Sequence, residues 1–447
     1  MKTHLLLAGA AVAAGVPGIQ ASILQPAQLP DSVTATMSNR ERHVAEIVNN
    51  TKFVFAGECD SAISPTDSAA NLLNTFYIDQ YRQFHDPDAP YFMFMTRDAQ
   101  LALGVGGKVM LRGWFDWNGY QPTYEFFPYD IAVPSDPTDR HGLGASAAQT
   151  AVFFTLLGHH KKLEYMVYIQ AAAKASQIVL KKAYIRLNDF TVGLASSTFA
   201  DDASLVPTVD AEGPNGQIGK TQMLGRYFHT FKSGWSVGGG VEFPSSDQSS
   251  ITGQSAACRD YIPDVAALVQ YGWDGGDSHI RLSGLLRTMS YRDLLTASNH
   301  NVTGWGAQLS GVVNVVKPLT LYFSGVIGKG IGSYVGDLAE GSYDLVGSSE
   351  TPGKMVAPLN LGITAGIRYD FTDRVFACVG FGEARNFEQH ALSGDDYKYG
   401  LYGNVNLFWQ VSPRFLAGVE YITGKRMDFD GMHAGANRLD AMLSFSF

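Results

Sequence analysis

Six basic residues, Lys182, Arg186, Arg226, Arg281, Arg287 and Arg368, stand in short segments on the polar phase of an apolar/polar alternation. Four acids, Asp201, Asp202, Asp210 and Glu212, fall together in one Pro- and Gly-containing connection among them. A row of guanidinium and ammonium groups attracts anions, the more so where low-dielectric walls focus its field. Acids in a nearby loop are suited to hold that loop against the row, or to line a constriction beside it. Lys108, Arg112, Lys398 and Arg438 share the polar phase with fewer acids, Asp116, Glu164, Glu242, Glu420 and Asp440. The alternative chemistry is structural, with Arg and Asp paired across a wall as ladders. Either one needs a scaffold that keeps one face of many strands polar and the other apolar.

The strands supply that scaffold. From Leu439 onward the odd positions, Ala441 excepted, are large and apolar up to Phe447, while Arg438, Asp440, Met442, Ser444 and Ser446 take the other face, which is the period of a strand. The same pattern runs back to about residue 107. Val109, Leu111, Phe115 and Trp117 oppose Lys108, Arg112, Trp114 and Asp116; Leu359, Leu361, Ile363, Ala365, Ile367 and Tyr369 oppose Asn360, Gly362, Thr364, Gly366 and Arg368. Aromatics gather at strand ends, as in an interfacial girdle. The phase breaks down at Val375 to Arg385, where Glu383 and Arg385 share a face with Phe381, and a bulge is expected there.

Connection lengths alternate. Short turns fall at 158–161, 188–189, 232–234, 274–277, 317–318, 371–374 and 412–414. Long polar connections fall near 120–147, 198–218, 244–262, 291–302, 330–357, 386–396 and 425–435, with one short link at 172–176. The segments number about sixteen, an even count with both ends on the turn side, as bacterial barrels require. The expected fold is all-β, a 16-stranded antiparallel transmembrane β-barrel over 107–447, wide enough for an aqueous channel. The connection 198–218 is expected to fold inward and narrow that channel; an exposed extracellular loop is the alternative.

Composition fits this fold. In 447 residues, charged groups are 17%, against roughly 25% in soluble proteins, and 48 are Gly. Mean hydropathy is -0.03, and no apolar run reaches the roughly 18 residues of a membrane helix. Lys2 and His4 precede an apolar stretch from Leu5 to Val16 and a plausible cleavage site before Ser22, so 1–21 reads as a signal peptide. Residues 22–106 read as a small periplasmic extension, partly helical at Ser38 to Asn50 and from Asp67 through Gln80. Cys59, Cys258 and Cys378 are too few for a disulfide framework, and a net charge of -9 disfavours nucleic acid.

The run Leu180-Lys181-Lys182-Ala183-Tyr184-Ile185-Arg186-Leu187, followed by Ser197-Thr198-Phe199-Ala200-Asp201 and Val209-Asp210-Ala211-Glu212-Gly213-Pro214-Asn215-Gly216, resembles the DcaP-like trimeric porins and, more distantly, the phosphate-selective porins. Gly106-Gly107-Lys108-Val109 leading into Trp114-Phe115-Asp116 is similar to the start of their first strand. The motifs span about residues 91 to 245. The resemblance implies a sixteen-stranded homotrimer in a Gram-negative outer membrane, in contact with lipid and lipopolysaccharide, with the third loop folded in. It also implies passive diffusion of small hydrophilic, often anionic, solutes. Sustained heptads, which would mark the group's N-terminal coiled coil, are lacking in 22–106.

Two other functions are open to such a chain: a structural or adhesin barrel without an open pore, and an outer-membrane lipid enzyme. No G-x-S-x-G occurs, so no catalytic residue is expected. His159-His160 lacks companions at metal-ligand spacing, and the glycines at 328, 330, 332 and 336 form no strand-to-helix phosphate cradle, so no metal or cofactor is expected.

Overall fold

The computed structural model describes residues 21–24, 51–56, 89–96, 100–174, 177–249, 253–348, 350–387 and 393–447. Sixteen antiparallel strands form a closed barrel. They are β1 (Leu101–Trp117), β2 (His141–Ser146 and Ala151–His160), β3 (Leu163–Lys174), β4 (Gln177–Leu187), β5 (Phe190–Ser196), β6 (Thr221–Thr230), β7 (Trp235–Glu242) and β8 (Asp264–Trp273). The second half comprises β9 (Ser278–Asp293), β10 (Ser298–Val316), β11 (Leu319–Lys329), β12 (Leu359–Thr372), β13 (Val375–Asn386), β14 (Tyr397–Ser412), β15 (Phe415–Asp428) and β16 (His433–Ser446). Each strand pairs with its sequence neighbour. The barrel shuts where β16 meets β1, from Asn437 opposite Trp117 to Ser446 opposite Lys108. Phe447 completes the seam, exchanging both backbone hydrogen bonds with Gly107 at 2.9 and 2.8 Å. Closure satisfies the backbone of every strand and leaves no edge facing lipid.

Alternation decides which face is which. Leu111, Phe115, Val405, Leu407, Trp409, Leu439 and Leu443 point outward and are exposed, whereas Arg112, Asp116, Asn404, Asn406, Arg438 and Asp440 point inward and are buried. Outward rings cluster near both rims, with Phe115, Trp117 and Tyr421 at one end and Trp235, Tyr271 and Trp273 at the other. Such amphipathic rings suit the membrane–water interface.

Several local expectations are revised. The first strand starts at Leu101, not near 107; Gly104, Gly106 and Gly107 sit inside it, paired with β2. Residues 291–302 and 425–435 are not open loops. There β9–β10 and β15–β16 run on as paired ribbons, closed by 294–297 and 429–432. β13 has no bulge over 375–385: its pairing is continuous on both sides, and a register shift lies at Asp370/Thr372 on β12 instead. Glu383 and Arg385 face outward as an ion pair at 2.7 Å, with the guanidinium 4.5 Å from the Tyr399 ring. Glu164 keeps the inward phase of Met166 and Tyr168 but is exposed near the start of β3, beside the short turn.

Of residues 22–106, the described parts include strands Ala21–Leu24, Lys52–Ala56 and Phe92–Met95, the last pairing with β1 at Ala102 to Val105 just beyond Phe447. The helices expected at 38–50 and 67–80, and Cys59, lie outside the described residues. Cys258 and Cys378 are free thiols.

Candidate functional site

The lumen is the site, and its geometry is set by loops on the side opposite both ends of the barrel chain. Numbered in order, L1 is 118–140, L3 is 197–220, L4 is 243–263 and L6 is 330–358. L3 leaves β5, crosses the lumen and returns to β6. Near its start, Thr198 N and Ser197 Oγ donate to the Glu242 carboxylate of β7 at 2.6 and 2.8 Å. Further on, Val206 packs against the inward faces of Gly366 on β12 and Gly380 on β13. On the far side, Val209 N and Asp210 N donate to Glu420 of β15 at 3.1 and 2.9 Å, and Arg112 Nε of β1 donates to Val209 O at 2.7 Å.

Glycines make this route possible. A side chain at Gly366 would place Cβ 2.5 Å from that of Val206, and one at Gly216 would collide with the backbone of Ile363 and Glu383. The inward face of β12 to β14 therefore has room for a loop where a usual residue would fill it. L6 lies on the same side. Ile218 bridges Val335, Gly336 N donates to Gln217 O, and Asp337 N donates to Asn215 O. Phe199, Ile218, Ile331, Tyr334, Val335 and Leu338 from L3 and L6 form an apolar cluster with Ala266, Leu285 and Val326 of the wall. Where L3 and L6 meet the wall, the lumen thus has the packing of a protein core.

The acids of L3 take different roles. Asp201 is fully buried: it accepts from His279 Nε2 at 2.9 Å and Ser310 Oγ at 2.6 Å, and Arg281 Nη1 lies 3.5 Å away. Burial alone would raise its pKa, but Arg281 and His279 more than reverse that and hold it below the ordinary value. Asp202 accepts from Ser196 Oγ at 2.6 Å. Asp210 accepts from Phe126 N, Gly213 N and Tyr402 OH, tying L1 to L3, and burial raises its pKa. Glu212 has its carboxyl inside the junction, where Gln217 Nε2 donates to it at 3.1 Å, and burial pushes it up to about 8.

The six basic residues separate into three groups. Arg281 is buried, donating to Gln270 Oε1 and Ala200 O, each at 2.8 Å, besides its pairing with Asp201. Arg287 pairs with Asp344 of L6 at 2.9 Å and Asp264 of β8 at 3.4 Å, and it donates to Ser245 O of L4. Both bind loops to the wall. Arg368 lies towards the short-turn rim, paired with Asp370 at 2.7 Å and 3.8 Å from the Phe376 ring. Lys182, Arg186 and Arg226 form the third group, on the lumen face of β4 and β6. Arg186 and Arg226 are both in register with Thr191 of β5, so they stand two strand spacings apart, about 10 Å. Lys182 and Arg186 remain partly exposed; Arg226 is buried and donates to Ser196 O at 3.1 Å.

The seam holds one further buried pair, Arg438 with Asp116 at 2.7 and 2.9 Å. The role of Glu420 as the anchor of L3, and of Asp264 and Asp344 as partners of Arg287, was not visible in sequence. The polar row Tyr402, Asn404, Asn406 marked the face, because Asn404 and Asn406 donate to Glu420, but nothing marked which loop would complete it. No group of His, Cys, Asp and Glu among the described residues has metal-site geometry.

Comparison with known proteins adds a family and a set of folds. Residues 148–430 match the family model described as Porin subfamily. No curated protein matches in sequence. Among solved structures, the chain is similar to the outer membrane channel DcaP of Acinetobacter baumannii at 18% identity, covering 78% of this chain and 98% of that one, with a TM-score of 0.68. It is also similar to an anion-selective porin from Comamonas acidovorans, at 11% identity, 78% and 100% coverage and a TM-score of 0.50. The trimer form of OmpT from Vibrio cholerae gives 10% identity, 78% and 99% coverage and a TM-score of 0.50.

Proposed function

This chain belongs to the porin subfamily and is a Gram-negative outer-membrane protein, and from that premise we propose that it passes small hydrophilic, preferentially anionic solutes by passive diffusion. L3 is the constriction. The observation that carries the anion preference is that Lys182 and Arg186 keep some exposure on the lumen face of β4, Arg186 near the short-turn rim, with the buried Arg226 two strands away, while the loop acid Asp201 is already occupied by Arg281 and His279. Charges that keep some exposure act on a passing ion, whereas those closed into buried pairs act on the wall. Residues 1–21 serve as a signal peptide and 22–100, up to the start of β1, as a periplasmic extension. Three copies assemble, with the remaining outward belt in lipid.

Planar-bilayer recording of the purified full-length protein tests this. Stable open steps with a reversal potential towards the anion side in a salt gradient are expected. Cation preference rejects the charge argument. A complete lack of steps rejects the pore and leaves the second reading, a barrel without an open channel, which the core-like packing of L3 and L6 favours.

A further inference from the structure

L1, L3 and L6 meet on carboxylates. L1 brings Glu125 and Asp130, L3 brings Asp210 and Glu212, and L6 brings Asp337 and Glu340. None of these six takes part in the ion pairs seen among the described residues. The cations that face the junction make their direct contacts elsewhere, although Arg438 and Arg112 also act on Asp210 through space. Arg426 of β15 pairs with Asp428 and donates to Tyr129 O, Arg438 of β16 holds Asp116, and Arg112 of β1 donates to Val209 O. Lys174 at the end of β3 acts on Glu340.

Asp337 is the centre of the contact. It is fully buried, and its Oδ2 accepts from Asn215 Nδ2 of L3 and from Tyr397 OH of β14, both at 2.6 Å. Its Oδ1 has no close hydrogen-bond partner, and from L1 the Tyr129 backbone amide favours its ionised form while Asp130 opposes it. Glu212 lies close by, its carboxylate oxygen 2.9 Å from where a Cβ on Gly336 would stand. Ionised carboxylates buried without a cation are costly, and two of them in one junction repel as well.

We propose that the L3–L6 junction is a proton-held latch. With Asp337 and Glu212 neutral, L6 stays seated on L3 across the lumen; when they ionise, the two loops part and the passage widens. The proposal rests on the pore reading above only for its effect on current. Burial raises Glu212 from an ordinary 4.5 to about 8 and Asp337 from 3.8 to about 7. For acids raised in this way, the closed junction binds more protons than the open one. Its stability is therefore full below the ordinary values and falls as pH climbs through about 7 to 8.

The test uses the full-length protein and the double variant Glu212→Gln, Asp337→Asn, with heat-modifiable gel mobility to verify that the barrel has folded. Single-channel conductance of the unmodified protein is expected to rise about twofold or more between about pH 5 and about pH 9, and that of the variant to stay at the low value throughout. Hydrogen exchange at Gly336 and Asp337, corrected for chemical exchange rate, gives an independent reading, because their amides bond to Gln217 and Asn215. Protection should fall with pH in the unmodified protein alone. If no current flows at any pH, the pore reading fails and exchange alone decides the latch. Conductance or protection that does not change with pH in the unmodified protein overturns it, as does a variant that titrates like the parent.

Discussion

The β9–β15 half of the barrel and the β4–β6 wall are built from the same alternation, yet their inward faces differ. Across β12 and β13 the inward positions include Gly362, Gly366, Gly380 and Gly382, and loop atoms lie directly against them. On β4 and β6 the inward positions carry Lys182, Tyr184, Arg186 and Arg226. One half gives up side chains to receive L3 and L6; the other keeps long cationic ones. The charges differ accordingly. Arg281 and Arg287 are closed into buried pairs with loop acids, so they contribute architecture, while Lys182 and Arg186 keep surface and can contribute selectivity.

The sharpest way to break this contrast is at Asp201. In Asp201→Ala, Arg281 and His279 lose their carboxylate in a site without solvent access, and removing one partner of a buried pair costs about 3 to 5 kcal/mol. The urea midpoint, read by loss of heat-modifiable mobility, should drop accordingly. An unchanged midpoint would mean that Asp201 is no anchor and that the loop-bearing half is held by apolar packing alone.

A smaller effect is expected where the glycine seat is filled. Gly366→Leu puts a side chain where Val206 already stands, and overpacking of this kind costs about 1 to 3 kcal/mol. Because L3 can shift more easily than the closed wall, the strain should appear as loop release. Trypsin or thermolysin should then cut within 197–220 faster, while the barrel stays intact. A loop as protected as in the parent would show that the seat has room to spare.

How much of this was legible follows the physics of each part. A strand in lipid must show its alternation, because every outward residue is tested against hydrocarbon, so β16, its pairing with β1 and the seven short turns could be read directly. Above the apolar band that constraint lapses. Asn299 to Asn301, and Lys425, Arg426 and Asp428, put polar side chains on both faces, and their pairing is continued by backbone hydrogen bonds that leave no trace in hydropathy. Glu383 and Arg385 misled for the same reason, since an outward ion pair near the rim imitates a change of phase. In the lumen, the sequence located the cations but not their fates. Arg186 and Arg287 look alike in their strands, and only the return of L6, with Asp344, separates a lining charge from a buried one.

That separation gives the smallest structural effect and the most specific functional one. Lys182→Ala together with Arg186→Ala removes two partly exposed charges from the lumen face of β4, and substitutions at such positions usually change stability by less than about 0.5 kcal/mol. Their effect on a passing ion follows from Coulomb's law: at about 10 Å in water each unit charge contributes about 0.4 kcal/mol, so the two favour an anion by about 0.8 and disfavour a cation by as much, about 1.6 kcal/mol together, or roughly a fifteenfold change in anion-to-cation permeability ratio. Reversal potentials measured in low and high salt should show that change, and it should shrink as the Debye length falls below the pore radius. The same measurement on Arg287→Gln separates the two halves of the barrel. Its guanidinium is held between Asp264 and Asp344, and these buried acids, left without a cation, are expected to neutralise by taking up protons, so losing it should cost stability and leave selectivity near the parent's. If instead Arg287→Gln shifted the reversal potential and the Lys182, Arg186 variant did not, the field that selects ions would originate under L6, and the β4–β6 wall would be scaffold.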